Sequence, residues 1–260
     1  FPIKMWVGDA GSPSWIITCD GDVQKDCLYV DTKGFSDRGV TWTVDFQKFD
    51  GPTEDFYGVW DRLAEYIENT TFVADDGKKY KIAITLVDSG HYTDWVYAFC
   101  TRFTAGVYAC KGSDWIKNGE TYQLFNRKTL EAIGLPLAYH INTGKLKDRI
   151  SRAMNMLQWD EGTKQPDWFP NFPDNFHDDY FRMFEAEEKV EEYDKRTNKY
   201  IRTVWRAKPG AANHGFDTYV YNLAALEIFA DSICRNELQG NMLDWSAFWN
   251  YAAYGMFMMD

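Results

Sequence analysis

The sequence predicts an α/β fold, a mixed sheet with an antiparallel start that is flanked by helices. Three observations predict it. Residues 15–20 (WIITCD), 27–32 (CLYVDT) and 40–46 (VTWTVDF) are short β-rich runs separated by turn-forming Gly and Asp, as in an antiparallel meander. Residues 82–87 (IAITLV) form a continuous apolar run, the pattern of a strand covered on both faces. Segments with helical spacing alternate with these runs, so the order is βββαβαβ.

After the meander, residues 57–68 place Val59, Leu63 and Ile67 at four-residue spacing, an amphipathic helix facing a core. The apolar run then ends in Asp88-Ser89-Gly90, which puts a polar side chain at a sheet edge, where ligands usually bind. Residues 93–103 carry Val96, Phe99, Cys100 and Phe103 on one helical stripe, and 106–110 read as another strand before Lys111-Gly112. From about 112 to 175 the pattern weakens. A short helix is expected near 145–157, followed by an ordered surface loop holding Pro166, Pro170 and Pro173. An acidic helix is expected over 177–193, a strand able to pair with a neighbour over 199–206, and a strong final helix over 213–233. The aromatic, amphipathic tail from 241 to 260 either packs back on its own domain, the common fate of such residues, or docks a partner. No internal repeat or low-complexity tract interrupts the chain. The expected organisation is one domain over 1–260, with a core at about 12–112 and 177–235, an insertion or loop region at about 113–176, and an aromatic tail at 240–260.

With 260 residues and 45% apolar content, the chain is long enough to bury a substantial core. The 17% aromatic share makes that core rich in large side chains and leaves some for surface recognition. The formal net charge of −11 has the wrong sign for a broad basic face of the kind that grips nucleic acid. Contact with DNA therefore requires acids concentrated at a metal site and a local Lys/Arg track, or affinity supplied by another domain. The odd set Cys19, Cys27, Cys100, Cys110 and Cys234 contains no CxxC pair, so reduced thiols are expected rather than a zinc knuckle or disulfide framework. No signal peptide and no apolar run long enough for a bilayer is found. The start at Phe1 rather than Met points to a fragment of something longer. A Walker A motif is absent, because Gly144-Lys145 is followed by Leu146 and position 139 is Tyr, so an ATPase would lie outside this stretch.

Three acids stand out by position. Asp22 lies just past the first strand, Asp88 at the C-terminal end of the buried strand, and Asp217 in the first turns of the last helix. Position alone is weak, since acids at element ends are more often turn formers, helix caps or solvated charges. Asp20, two residues from Asp22 and on the same side of a continuing strand, is the rival for the first place. His214 lies one helical turn before Asp217, either as a helix N-terminal contact or near a metal-bound water or phosphate. His91 is expected to face solvent. Lys145, Lys147, Arg149 and Arg152 form a basic cluster on a helix, and Lys111 follows a strand; each is either a DNA-backbone contact or a solvated charge.

The segments Thr18-Cys19-Asp20-Gly21-Asp22-Val23-Gln24, Trp42-Thr43-Val44-Asp45-Phe46, Val87-Asp88-Ser89-Gly90 with Val96-Tyr97-Ala98-Phe99-Cys100, Lys111-Gly112, and Asn213-His214-Gly215-Phe216-Asp217-Thr218-Tyr219-Val220-Tyr221 occur in this order across nearly the whole chain. Together they resemble the nuclease half of lambda-type phage large terminase subunits. The chain departs from that pattern at His214-Gly215, and the family's His-Phe-Pro block is matched only loosely by Trp168-Phe169-Pro170 or Asn171-Phe172-Pro173. The resemblance implies an RNase H-like sheet on which Asp22, Asp88 and Asp217 converge as the catalytic and metal-binding acids, with Asp20 the alternative first ligand. It implies a metal-dependent endonuclease that uses two Mg²⁺ or Mn²⁺ ions to hydrolyse double-stranded DNA during genome packaging. Lys111, Lys145, Lys147 and Arg149 are the implied DNA-binding residues, and His214 an auxiliary. The implied partners are double-stranded DNA, an ATPase domain of the same parent chain, the small terminase subunit and the portal of the procapsid, in the host cytoplasm and with no membrane. Two other readings fit the residues, a resolvase or transposase core with the same acids, and a non-catalytic aromatic-rich module that binds carbohydrate or a virion partner.

Overall fold

The computed structural model describes residues 2–5, 16–74, 76–113, 116, 119–125, 128, 134–156, 164–254 and 258–259. The meander forms as expected. Strands β2 (Ile16–Val23), β3 (Cys27–Phe35) and β4 (Thr41–Asp50) pair antiparallel in sequence order. Strand β7 (Ile82–Asp88) then lies parallel to β2, β8 (Val107–Ser113) parallel to β7, and β10 (Ala138–Asn142) parallel to β8. With β9 (Tyr122–Leu124) antiparallel at one edge and β11 (Pro170–Asn171) parallel to β4 at the other, the sheet has eight strands in the order β11-β4-β3-β2-β7-β8-β10-β9. A mixed sheet so ordered, with helices on both faces, is the RNase H-like α/β arrangement. Strands β1 (Pro2–Met5), β5 (Thr71–Ala74), β6 (Lys79–Tyr80) and β14 (Met258–Met259) make a separate small sheet.

The apolar patterning separates two cores, one on each face of the main sheet. Helices α1 (Val59–Asn69) and α2 (Thr93–Cys100) cover one face, burying Trp60, Leu63 and Phe99 against Ile17, Cys19, Val30 and Val87. The long helix α5 (His214–Asn236) covers the other, with Tyr219, Val220, Leu223 and Leu226 on Ile16, Phe35, Ile84 and Leu86. Because strand residues alternate between faces, Ile16, Thr18, Asp20 and Asp22 all point to α5, and so do Ile84, Leu86 and Asp88. The α5 core is apolar toward the helix's C-terminal half and becomes polar toward its start. Thr18 Oγ1 donates to Asn222 Oδ1 at 2.5 Å, Asn222 Nδ2 to the Asp31 carbonyl at 3.1 Å, and Thr218 Oγ1 to Asp31 Oδ2 at 2.8 Å. These buried bonds fix the rotation of α5 on the sheet, and with it the direction of Asp217.

Helix α3 (Thr143–Met154) begins where the Asn142 side chain accepts the Lys145 N–H, and it buries Leu146, Ile150 and Ala153. The segment 177–193 is not one helix. Helix α4 covers only Asp178–Arg182, and Glu187–Tyr193 is strand β12, paired antiparallel with β13 (Tyr200–Ala207). On a helix, Glu187, Glu188, Glu191 and Glu192 would meet like charges three and four residues apart. In the hairpin Glu188 lies opposite Arg206 and Glu192 opposite Arg202, and Glu192 accepts from Arg202 at 2.9 Å and from Arg206 at 3.0 Å. Asp194, which accepts the Arg196 and Thr197 N–H groups, closes the turn. The aromatic tail packs back. Helix α6 (Trp245–Ala253) buries Phe248 on the α5 core, and Trp245 meets Trp168 edge-on at 5.4 Å. Parts of two further expectations, residues 157–163 near the proline loop and 255–257 and 260 in the tail, lie outside the described residues. Among the described residues no helix is long and apolar enough to cross a membrane.

Candidate active site

Asp22 lies within β2 rather than past its end, because the strand continues to Val23. Asp20 therefore precedes it on the same face, Asp88 ends the neighbouring parallel strand, and the first turn of α5 brings Asp217 over that face. The four carboxyl groups sense one another. Burial above all raises the Asp20 carboxyl well above the usual carboxylate range, and the charges of Asp88, Asp22, Asp31 and Asp217 raise it further. Burial likewise pushes Asp88 up to about 6, opposed by the Gly90 N–H that it accepts at 2.9 Å and reinforced by Asp22 and Asp217.

Two of the acids are already engaged. Asp22 accepts from Gln24 Nε2 at 2.9 Å, and its other oxygen lies 2.6 Å from Nδ1 of His214, whose ring stacks on Tyr29 with centroids 4.0 Å apart. Asp217 pairs with Lys147 Nζ at 2.8 Å and accepts from Asn213 Nδ2 at 2.6 Å. The same Lys147 ammonium reaches buried Glu187 at 2.6 Å, and Asn213 also donates to Glu187 at 2.7 Å. Burial raises Asp217, while Lys147 pulls it back down. Asp20, by contrast, is fully buried and both of its carboxyl oxygens lack a hydrogen-bond partner.

Behind the acids, Asp31 of β3 sits opposite Asp20 and is paired at 3.0 Å with Lys33, both completely buried. Lys33 also donates to Thr43 Oγ1 at 2.7 Å and lies 4.3 Å above the Tyr219 ring. Burial lowers Lys33 and raises Asp31, each opposed by the partner's charge.

Among the described residues, no three or more His, Cys, Asp or Glu side chains are gathered into a ready metal-binding group. His214 pairs with Asp22 and Lys147 with Asp217. The donor chemistry nonetheless suits a hard divalent cation, which takes oxygen ligands. A buried carboxyl group with two unpartnered oxygens must either keep a proton or be met by a cation, and Asp20 is in that position beside Asp22 and Asp88.

The basic residues divide. Lys111 is exposed on β8, and Lys145 is exposed on α3, where it reaches the Gly119 carbonyl. Lys147 is buried between Glu187 and Asp217, and Arg149 is committed to Glu227 and to the Trp168 ring, 4.5 Å away. His91 faces solvent, with its charge lowering Asp88. Glu187, Asn213, Tyr29 and the Asp31–Lys33 pair escape a reading of the sequence. Charged residues two apart in the apolar run of β3 are a usable signal for the last, as is the position of Lys147 three residues before Ile150 on the buried stripe of α3.

The sequence model of the family described as terminase large subunit gpA, endonuclease domain, matches residues 11–235. No curated protein and no solved structure matches the chain.

Proposed function

Given that this chain belongs to the endonuclease-domain family of terminase large subunits, we propose that it cuts double-stranded phage DNA during genome packaging, and that divalent metal ions held by Asp20, Asp22, Asp88 and Asp217 are required. The observation that carries the metal requirement is Asp20, a buried carboxyl group with no partner for either oxygen beside two further acids. Bound there, Mg²⁺ or Mn²⁺ would supply a nucleophilic hydroxide from water and offset charge on the leaving 3′ oxygen.

The chain's own residues do the positioning. His214, stacked on Tyr29, and Gln24 hold both oxygens of Asp22, so that acid presents one orientation. Lys147 and Asn213 do the same for Asp217 and tie it to Glu187. The Gly90 N–H fixes one oxygen of Asp88. The Thr218–Asp31–Lys33 network anchors α5 to β3 beneath the site. Lys147 also lowers the Asp217 carboxyl against the effect of burial. The ATPase of the same parent chain, the small subunit and the portal are the partners that this reading implies, with the site working in the host cytoplasm.

The test is plasmid cleavage. Wild-type protein cuts duplex DNA with Mg²⁺ or Mn²⁺ and not with chelator, and Asp88→Ala abolishes cutting while the protein stays folded. Undiminished cutting by that variant refutes the site, and cutting in chelator refutes the metal requirement.

A further inference from the structure

Strands β7 and β8 end, and the first half of β10 runs, beside a concavity of about 310 Å³, whose lining includes Ser89, Thr93, Lys111, Phe125 and His140. In open α/β sheets ligands bind outside the carboxyl ends of parallel strands. Cys110 is in register with Asp88 and Lys111 with His140, so Lys111 stands one residue beyond the level of Asp88 on the adjacent strand. Alternation turns Lys111 toward the α2 face, whereas Asp88 faces α5. The two sites therefore lie on either side of one rim. At Gly112 the rim packs closely against the Thr143 and Tyr221 side chains, which a β-carbon there would meet at 3.1 and 3.2 Å.

The lining has a chemistry unlike the rest of this acidic chain. Among the described residues it carries an exposed ammonium and aromatic rings and no carboxylate, while the Ser89 and Thr93 hydroxyls donate to the Cys110 and Ser89 carbonyls. Phe125 is 41% exposed and leans on His140 with ring centroids 4.8 Å apart. Burial, then the Lys111 charge, holds the His140 imidazole below its usual value. A cation beside an open ring is how proteins hold the phosphate and the base of one nucleotide. The volume is at the lower end of the roughly 300–1,000 Å³ typical of ligand pockets, enough for one nucleotide and too little for a base pair.

We propose that this cavity holds one unpaired nucleotide of the cleaved strand, adjacent to the scissile phosphate, with its phosphate on Lys111 and its base against Phe125. The proposal rests on the nuclease reading above, and it adds that the strand is unpaired beside the scissile phosphate.

The test separates the two. Binding of a short fluorescein-labelled oligodeoxythymidine, and of a labelled duplex, to the 260-residue chain is followed by anisotropy in EDTA at several salt concentrations. Lys111→Ala should weaken binding of the single strand about tenfold and reduce the salt slope by about one. Phe125→Ala should weaken the single strand more than the duplex, and Phe125→Trp should restore it. Single-strand binding that is absent in the wild type, or equal in all variants, overturns the pocket. Wild-type protein that binds in this pattern yet cuts no DNA with Mg²⁺ or Mn²⁺ overturns the nuclease reading instead, and with it the assignment of the nucleotide to a cleaved strand.

Discussion

Replacing Asp88 with asparagine should stabilise the metal-free protein, and only when the pH is high enough for the native carboxyl to ionise. Burial lifts Asp88 from the ordinary 3.8 to about 6. That rise corresponds to about 3 kcal/mol. Below about pH 4 the group is protonated in both folded and unfolded chains, so it contributes no difference. Between about pH 4 and pH 6 the unfolded chain ionises first; the folded protein then holds more protons, and its stability falls as the pH rises. Above about pH 6 the full penalty persists, unless a cation is bound. The substituted amide is neutral, nearly isosteric and still able to accept the Gly90 N–H, so Asp88→Asn removes the penalty. Urea unfolding in EDTA should find this variant close to wild type near pH 4 and about 2 to 3 kcal/mol more stable near pH 7.5. Adding Mn²⁺ should narrow the gap by stabilising wild type alone. A variant no more stable than wild type near pH 7.5, or one with the same advantage at both pH values, would refute the reasoning.

Other substitutions probe the groups around the acids. Lys147→Met leaves buried Glu187 and half-buried Asp217 without their shared cation and should cost about 3 kcal/mol; an unfolding free energy within 1 kcal/mol of wild type, roughly the value of a surface pair, would contradict the clamp. His214→Ala frees one oxygen of Asp22 and should weaken Mn²⁺ binding by roughly 10- to 100-fold, measured by calorimetry; unchanged affinity would remove His214 from the site. Gly39 adopts φ +71°, and a β-carbon there would meet the Trp168 ring at 2.3 Å. Gly39→Ala should therefore destabilise by about 2 kcal/mol or more without affecting cleavage, and an unchanged melting temperature would count against this packing.

Period-two runs and the buried strand made the meander, β7 and β8 legible from local pattern, and the spacing of Val59, Leu63 and Ile67 did the same for α1. Ordered motifs made the family legible. These features are written in neighbouring residues, where side-chain periodicity reports which face is covered. Long-range pairing was not legible. Segment 177–193 reads as a helix until β13 offers arginines opposite its glutamates. Lys147 reads as a surface cation until the β12 hairpin brings Glu187 against it, 40 residues further along the chain. Asp20 and Asp22 cannot be ranked by spacing, because both face α5, and only tertiary burial leaves one without partners while His214 and Gln24 take up the other. A charge's role depends on what the fold places opposite it and how much water remains there, and neither quantity is carried by sequence neighbours.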